Sequence, residues 1–126
     1  MWSSKIKNIM IEKNKKLADL LGEEYKDNSI VISRSQVCGV NPSGRLWQEV
    51  RYHKDWEWLM KVVNHIENVV LPNTDNCFNV TIGAGLYCVI QDAYGELFEI
   101  STCETTKILS VFEACVKFAE WYELQR

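Results

Sequence analysis

The side chains best placed for chemistry in this sequence are two histidines, five cysteines and a group of carboxylates around residue 95. A general base needs an orienting partner that faces it. His53 and Asp55 are two residues apart at a helix start, where side chains diverge, so His53 reads as a turn residue. His65 falls on the side row of the same helix, with Trp58, and no Asp, Glu or Cys clusters with either histidine as a metal centre requires. Cys38, Cys77, Cys88, Cys103 and Cys115 contain no CxxC pair, which argues against a zinc site or a redox motif. Cys88 lies in an apolar strand pattern and Cys115 in an apolar helical stripe, where a thiol behaves as a small hydrophobe, so the cysteines read as reduced structural thiols in a cytosol. Asp92, Glu96, Glu99 and Glu104 bracket a turn and a strand without the spacing of a calcium loop. Gly83-Ala84-Gly85 joins two strands and opens no helix, so it cradles no phosphate. The chain is therefore expected to be no enzyme and to carry no cofactor or metal.

What must position these residues is legible around Tyr52–Val70. Asp55 is an N-cap: its carboxylate can accept a backbone N–H of the first turn and places negative charge at the positive end of the helix dipole. Trp56, Leu59, Met60, Val63, Ile66 and Val70 follow at the spacing of one helical face, with Glu57, Lys61, Asn64 and Asn68 on the wet side and Val62 and Val69 in a flanking row. Pro72 and Asn73 end the pattern. A first helix is expected from about Ser4 to Leu21, capped by Ser3 or Ser4 and closed by Gly22 in a left-handed conformation. Its packed part is Leu17–Leu21, and Met1–Ile9 reads as a loose extension, with Met10 an alternative start. Residues 25–51 are the least readable: Ile30–Val37 and Leu46–Val50 suggest an irregular hairpin around the turn Asn41-Pro42-Ser43-Gly44.

After a loop at 73–76, three strands follow at close spacing. Phe78, Val80 and Ile82, then Leu86, Cys88 and Ile90, then Phe98 and Ile100 supply one greasy face, with turns at Gly83-Ala84-Gly85 and at Asp92-Ala93-Tyr94-Gly95. The opposite face carries Asn79, Thr81, Tyr87, Val89, Gln91, Glu99 and Ser101. A last amphipathic helix begins at Thr105 or Thr106 and buries Ile108, Val111, Phe112, Cys115, Phe118, Ala119 and Tyr122. The expected fold is α+β, in the order α-(ββ)-α-βββ-α: an antiparallel three-stranded meander, with an irregular hairpin beside it, packed against amphipathic helices.

At 126 residues the chain is expected to be one domain, 1–126, with 47% apolar and 25% charged residues, ordinary values for a globular protein. A formal charge of −3 and an isoelectric point near 5.4 argue against non-specific nucleic-acid binding. The charge is uneven. Residues 1–16 hold five lysines and one acid, whereas 17–126 hold nine basic and sixteen acidic residues. The lysine run lacks the interleaved aromatics that stack on bases and reads as a solvated helix face. No apolar run is long enough to span a bilayer, so neither nucleic acid nor membrane is expected as a partner and the compartment is expected to be a bacterial cytosol.

The aromatic residues are the remaining signal. Trp47, Tyr52, Trp56 and Trp58 bracket the start of the central helix, with Trp56 placed in the core and Trp58 pointing the other way. Tyr87 and Val89 sit mid-face on the mixed side of the meander. Trp and Tyr are enriched in binding hot spots, because they join a large contact area to a polar handle. Trp47, Tyr52, Trp58, Tyr87 and Val89 are therefore the expected contacts of a partner or ligand.

The words Lys16-Leu17-Ala18-Asp19-Leu20-Leu21-Gly22, Tyr52-His53-Lys54-Asp55-Trp56-Glu57-Trp58-Leu59-Met60 and Val111-Phe112-Glu113-Ala114-Cys115-Val116-Lys117-Phe118, the last followed by Trp121-Tyr122, resemble a group of small bacteriophage and prophage proteins similar in layout to the phage α-β-α sandwich domain. The resemblance spans about Lys16 to Tyr122 and rests on packing and capping residues. It implies a fold and a phage or mobile-element origin, and it brings no catalytic residues. The expected function is that of a non-enzymatic accessory protein binding a host or phage protein, for instance an anti-defence inhibitor of the anti-CRISPR kind. The alternatives are a small-molecule or nucleotide binder, with Trp47, Tyr52 and Trp58 stacking the ligand in a pocket between the hairpin and the helices, and a structural protein dimerising through the open sheet face.

Overall fold

The computed structural model describes residues 4–32, 46–70, 77–93 and 97–125. The fold is α+β, with three helices and two three-stranded antiparallel sheets. The element order follows the expected one, except that a third strand extends the expected hairpin. The chain forms two compact units, 1–50 and 51–126. Ser3, the turn at Asn41–Gly44, the stop at Pro72 and Asn73, the loop at 73–76 and Tyr94-Gly95 lie outside the described residues.

In the first unit α1 spans Ser4–Leu21. It closes as expected: Gly22 takes φ +74, its N–H donates to the Asp19 carbonyl at 3.1 Å and the Glu23 N–H to the Ala18 carbonyl at 3.0 Å. Those two bonds make a Schellman cap, which needs the left-handed residue that glycine supplies without a Cβ clash. Leu17 and Ala18 are fully buried, as is Asn14, whose Nδ2 donates to the Met10 carbonyl at 3.0 Å.

The strands β1 (Tyr25–Lys26), β2 (Ser29–Ile32) and β3 (Leu46–Glu49) pair in that order. β1 and β2 meet through a two-residue turn at Asp27 and Asn28, both at positive φ, with Lys26 opposite Ser29. That geometry matches the right-handed twist of the flanking strands, and Asp and Asn are the non-glycine residues that tolerate it. Ile30 and Val50 are buried, whereas Trp47, paired with Val31, lies on the exposed face.

In the second unit α2 spans Trp56–Glu67. Asp55 is its N-cap: Oδ1 accepts from the Glu57 N–H at 2.9 Å. Asp55→Ala should remove about 1 kcal/mol of stability, read as a lower urea midpoint at unchanged slope. The buried side is Leu59, Val62, Val63, Ile66 and Val69. This corrects the expected stripe, because Trp56 is 41% exposed and Val70 is exposed as well. At roughly 100° per residue Trp56 projects within about 20° of the buried Val63, so its direction alone does not expose it. Trp56 is the first helical residue, one turn before the buried Leu59. The helix thus buries its middle and leaves the tryptophan at its open end.

The second sheet holds β4 (Phe78–Ile82), β5 (Tyr87–Asp92) and β6 (Glu99–Cys103), with β5 central. Val80 stands opposite Ile90, Ile90 opposite Ile100 and Cys88 opposite Thr102, so these residues form the expected greasy face, which is corrected at one end: Ile82 and Leu86, expected on it, are exposed. Helix α3, Lys107–Gln125, lies on β5 and β6, while α2 lies on β4 and against α3. Phe112, Cys115 and Phe118 are fully buried as expected, and so are Ser110, Ala114 and Val116. α3 is therefore buried on more than one side, since both the sheet and α2 press on it. Among the described residues no helix is long and apolar enough to cross a membrane.

Candidate functional site

The five residues singled out by the sequence fall into three places. Trp47 lies on β3 of the first unit, beside a hollow of about 250 Å³ lined by Lys26, Asp27, Ser29 and Trp47 itself. Tyr52 and Trp58 meet at the start of α2, ring centroids 5.3 Å apart and planes at 73°, the edge-to-face arrangement favoured by aromatic quadrupoles. Tyr52 is 1% exposed and Trp58 half-buried, so a foreign molecule would reach the tryptophan and find the tyrosine already enclosed. Tyr87 and Val89 come together on the outer face of the second sheet.

That outer face is defined strand by strand. Val89 stands between Thr81 and Ser101, Gln91 between Asn79 and Glu99, and Tyr87 opposite Cys103. Glu99 is the one formal charge in this set. Tyr87 is 44% exposed, and Ile82 and Leu86 at the same end of the sheet are exposed too. A side chain on Gly83 would overlap the Tyr87 ring, which therefore rests on the bare Cα of the glycine. The Gly83 N–H donates to the Tyr87 carbonyl at 3.1 Å, which fixes the approach of the two residues.

A buried serine holds the same turn from behind. The Ser110 hydroxyl on α3 donates to the Leu86 carbonyl and accepts from the Glu104 N–H at 2.8 Å, while its carbonyl accepts from Thr102 Oγ1 at 2.5 Å. Tyr87 thus begins a strand whose preceding residue is anchored to the core, and its ring is seated on the turn's own backbone. Sequence reasoning missed Ser110. The available signal was a serine inside an apolar helical stripe, eight residues after Thr102.

His53, Cys88, Cys115 and Asp92 are packed or hydrogen-bonded within the second unit. The His53 ring lies edge-on to Phe112 at 6.0 Å. Burial pushes the Cys88 thiol up to about 11 and the Cys115 thiol higher still, with the nearby Cys88 adding to the second effect. Both stay protonated near neutral pH, and the thiol is the weak nucleophile of the pair. Cys77 and Cys103 are exposed, and Cys38 lies outside the described residues. Asp92 is buried, and its Oδ1 accepts from the Leu97 and Phe98 N–H groups at 2.9 and 3.0 Å. Among the described residues no three His, Cys, Asp or Glu side chains gather closely enough to hold a metal ion. Comparison of the chain with protein-family models, with curated proteins and with solved structures finds no match in any of the three.

Proposed function

We propose that this chain acts without catalysis, by presenting the outer face of β4–β6 to another protein of a bacterial host or its phage. The observation that carries this reading is Tyr87: exposed, seated on Gly83, at one end of a face with a single formal charge. Interface centres are depleted in charge and enriched in tyrosine. A ring already held in place loses little freedom on binding, which leaves more of the contact energy as affinity. The resemblance to small phage proteins supplies the biological setting, with an anti-defence inhibitor of the anti-CRISPR kind as its concrete form. A bacterial cytosol follows as the compartment of such a protein.

The small-molecule reading draws less support, because the hollow beside Trp47 is smaller than the roughly 300–1,000 Å³ of most ligand pockets. A homodimer through the same sheet face is the other occupant to test. The immobilised chain should retain a specific protein from bacterial lysate, to be identified by mass spectrometry and re-measured pure. Tyr87→Ala should weaken that binding about 30-fold or more, the loss of a hot spot of about 2 kcal/mol. Equal retention by wild type, Tyr87→Ala and Val89→Ala would remove this face from consideration.

A further inference from the structure

Among the described residues β6 pairs on one side only, with β5. The Asp92 N–H donates to the Phe98 carbonyl at 3.1 Å, which fixes the phase of the ladder between the two strands. Antiparallel pairs alternate between those that exchange backbone bonds and those that do not. Ile100 and Thr102 therefore bond to β5, while Glu99, Ser101 and Cys103 turn their N–H and C=O groups away from it. These three residues are all exposed, and those groups meet no partner among the described residues. The opposite edge is less open. On β4 the residues turned away from β5 are Phe78, Val80 and Ile82, of which Phe78 is buried and Val80 half-buried.

Proteins usually blunt an edge strand with lysine, proline or a bulge. β6 reads Glu99-Ile100-Ser101-Thr102-Cys103, without lysine or proline, and its register with β5 is unbroken from end to end. The strand also matches itself. When two copies run antiparallel with Ser101 on the two-fold axis, Ser101 meets Ser101, and Glu99 of each meets Cys103 of the other. Each of these three pairs can exchange two N–H···O=C bonds. An axis through Ile100 or Thr102 leaves only two such pairs within the strand. The Ser101 axis also sets the two Glu99 residues four positions apart, about 14 Å. That exceeds the roughly 8 Å over which exposed charges act in physiological salt. Partial charges thus complement each other along the edge, and the like formal charges stay apart.

We propose that β6 is a homodimer edge: a second copy of this chain pairs with it, antiparallel about Ser101, joining two three-stranded sheets into one of six strands. The pairing uses the same edge on both copies, so it closes at two. The side chains of Tyr87 and Val89 take no part in it, which makes this association separable from the protein partner of the outer face.

Sedimentation equilibrium of the full chain tests the proposal. Two five-residue edges bury less than the roughly 1,200 Å² of a lasting interface, so the dimer should form at about 0.1 mM and dissociate on dilution. Ser101→Pro should weaken it about tenfold or more, by removing an outward N–H that β5 does not use. Ser101→Lys, which sets two ammonium groups face to face on the axis, should weaken it as well. Cys103→Lys should tighten it about threefold or more in a salt-sensitive way, because the added charge meets Glu99 of the second copy. Tyr87→Ala should associate like wild type whatever its effect on partner binding. Far-UV circular dichroism checks that each variant keeps its fold. A monomer up to about 1 mM, growth past the dimer, a dimer indifferent to Ser101→Pro and Ser101→Lys, or no tightening in Cys103→Lys would each overturn the proposal. So would a monomer whose binding to a foreign protein is lost in Ser101→Pro, which gives the edge to that protein.

Discussion

Phe118→Ala is expected to destabilise the second unit by about 3–5 kcal/mol, a large part of the roughly 5–15 kcal/mol that holds a typical domain folded. Phe118 is fully buried at the centre of an aromatic cluster: Phe78 stands edge-on at 4.9 Å and Phe98 at 5.6 Å, Trp121 is tilted at 5.9 Å, and Tyr122 stacks at 5.8 Å. Removing the ring leaves a cavity walled by four aromatic groups drawn from β4, the β6 approach and α3. Rings on separate elements cannot close such a space without moving the elements themselves, so the cavity persists and its lining loses contact. Urea denaturation followed by tryptophan fluorescence reads the effect, because Trp121 lies in the cluster. Phe118→Leu should recover part of the loss. A change below about 1 kcal/mol in Phe118→Ala would show that the cluster is looser than its geometry indicates.

Asp92→Ala is expected to remove about 2–4 kcal/mol through a different mechanism. One carboxylate oxygen accepts two backbone N–H groups, those of Leu97 and Phe98, and the residue is fully buried. Hydrogen bonds to a charged group contribute about 1.5–3 kcal/mol each, and deleting the acceptor leaves donors in need of new partners. Asp92→Asn keeps an oxygen in place and should lose clearly less. Amide exchange separates the two cases: the Leu97 and Phe98 amides should lose protection in Asp92→Ala and largely keep it in Asp92→Asn. If both variants behave alike, the two bonds are not what fixes this connection.

The sequence by itself determined the three helices and the strands of the second sheet. Alternation from Phe78 to Ile82, followed by the apolar row of Cys88 and Ile90, favours the register in which these residues meet the helices, because a slip of one residue would turn every side chain over. Asp55 and Gly22 announced a helix start and a helix end through local hydrogen bonding, which depends on neighbours in the chain and so reads directly from residue type. The Asp27-Asn28 turn lies in residues that tolerate positive φ, but the short strands on either side of it are too brief to show a period.

Tertiary structure decided what periodicity leaves open. A helical stripe fixes which residues share a side, but the neighbour it meets fixes how much of that side is covered; hence Trp56 stands exposed at the open end while Val62 is enclosed. Ser110 became an anchor only because the fold brings the Leu86 carbonyl and the Glu104 N–H to it, a contact across 24 residues in the first case. Tyr87 became a fixed platform because a turn places the bare Cα of Gly83 beneath its ring. Residue types carry the propensities; closeness between distant parts of the chain selects which of them become a surface.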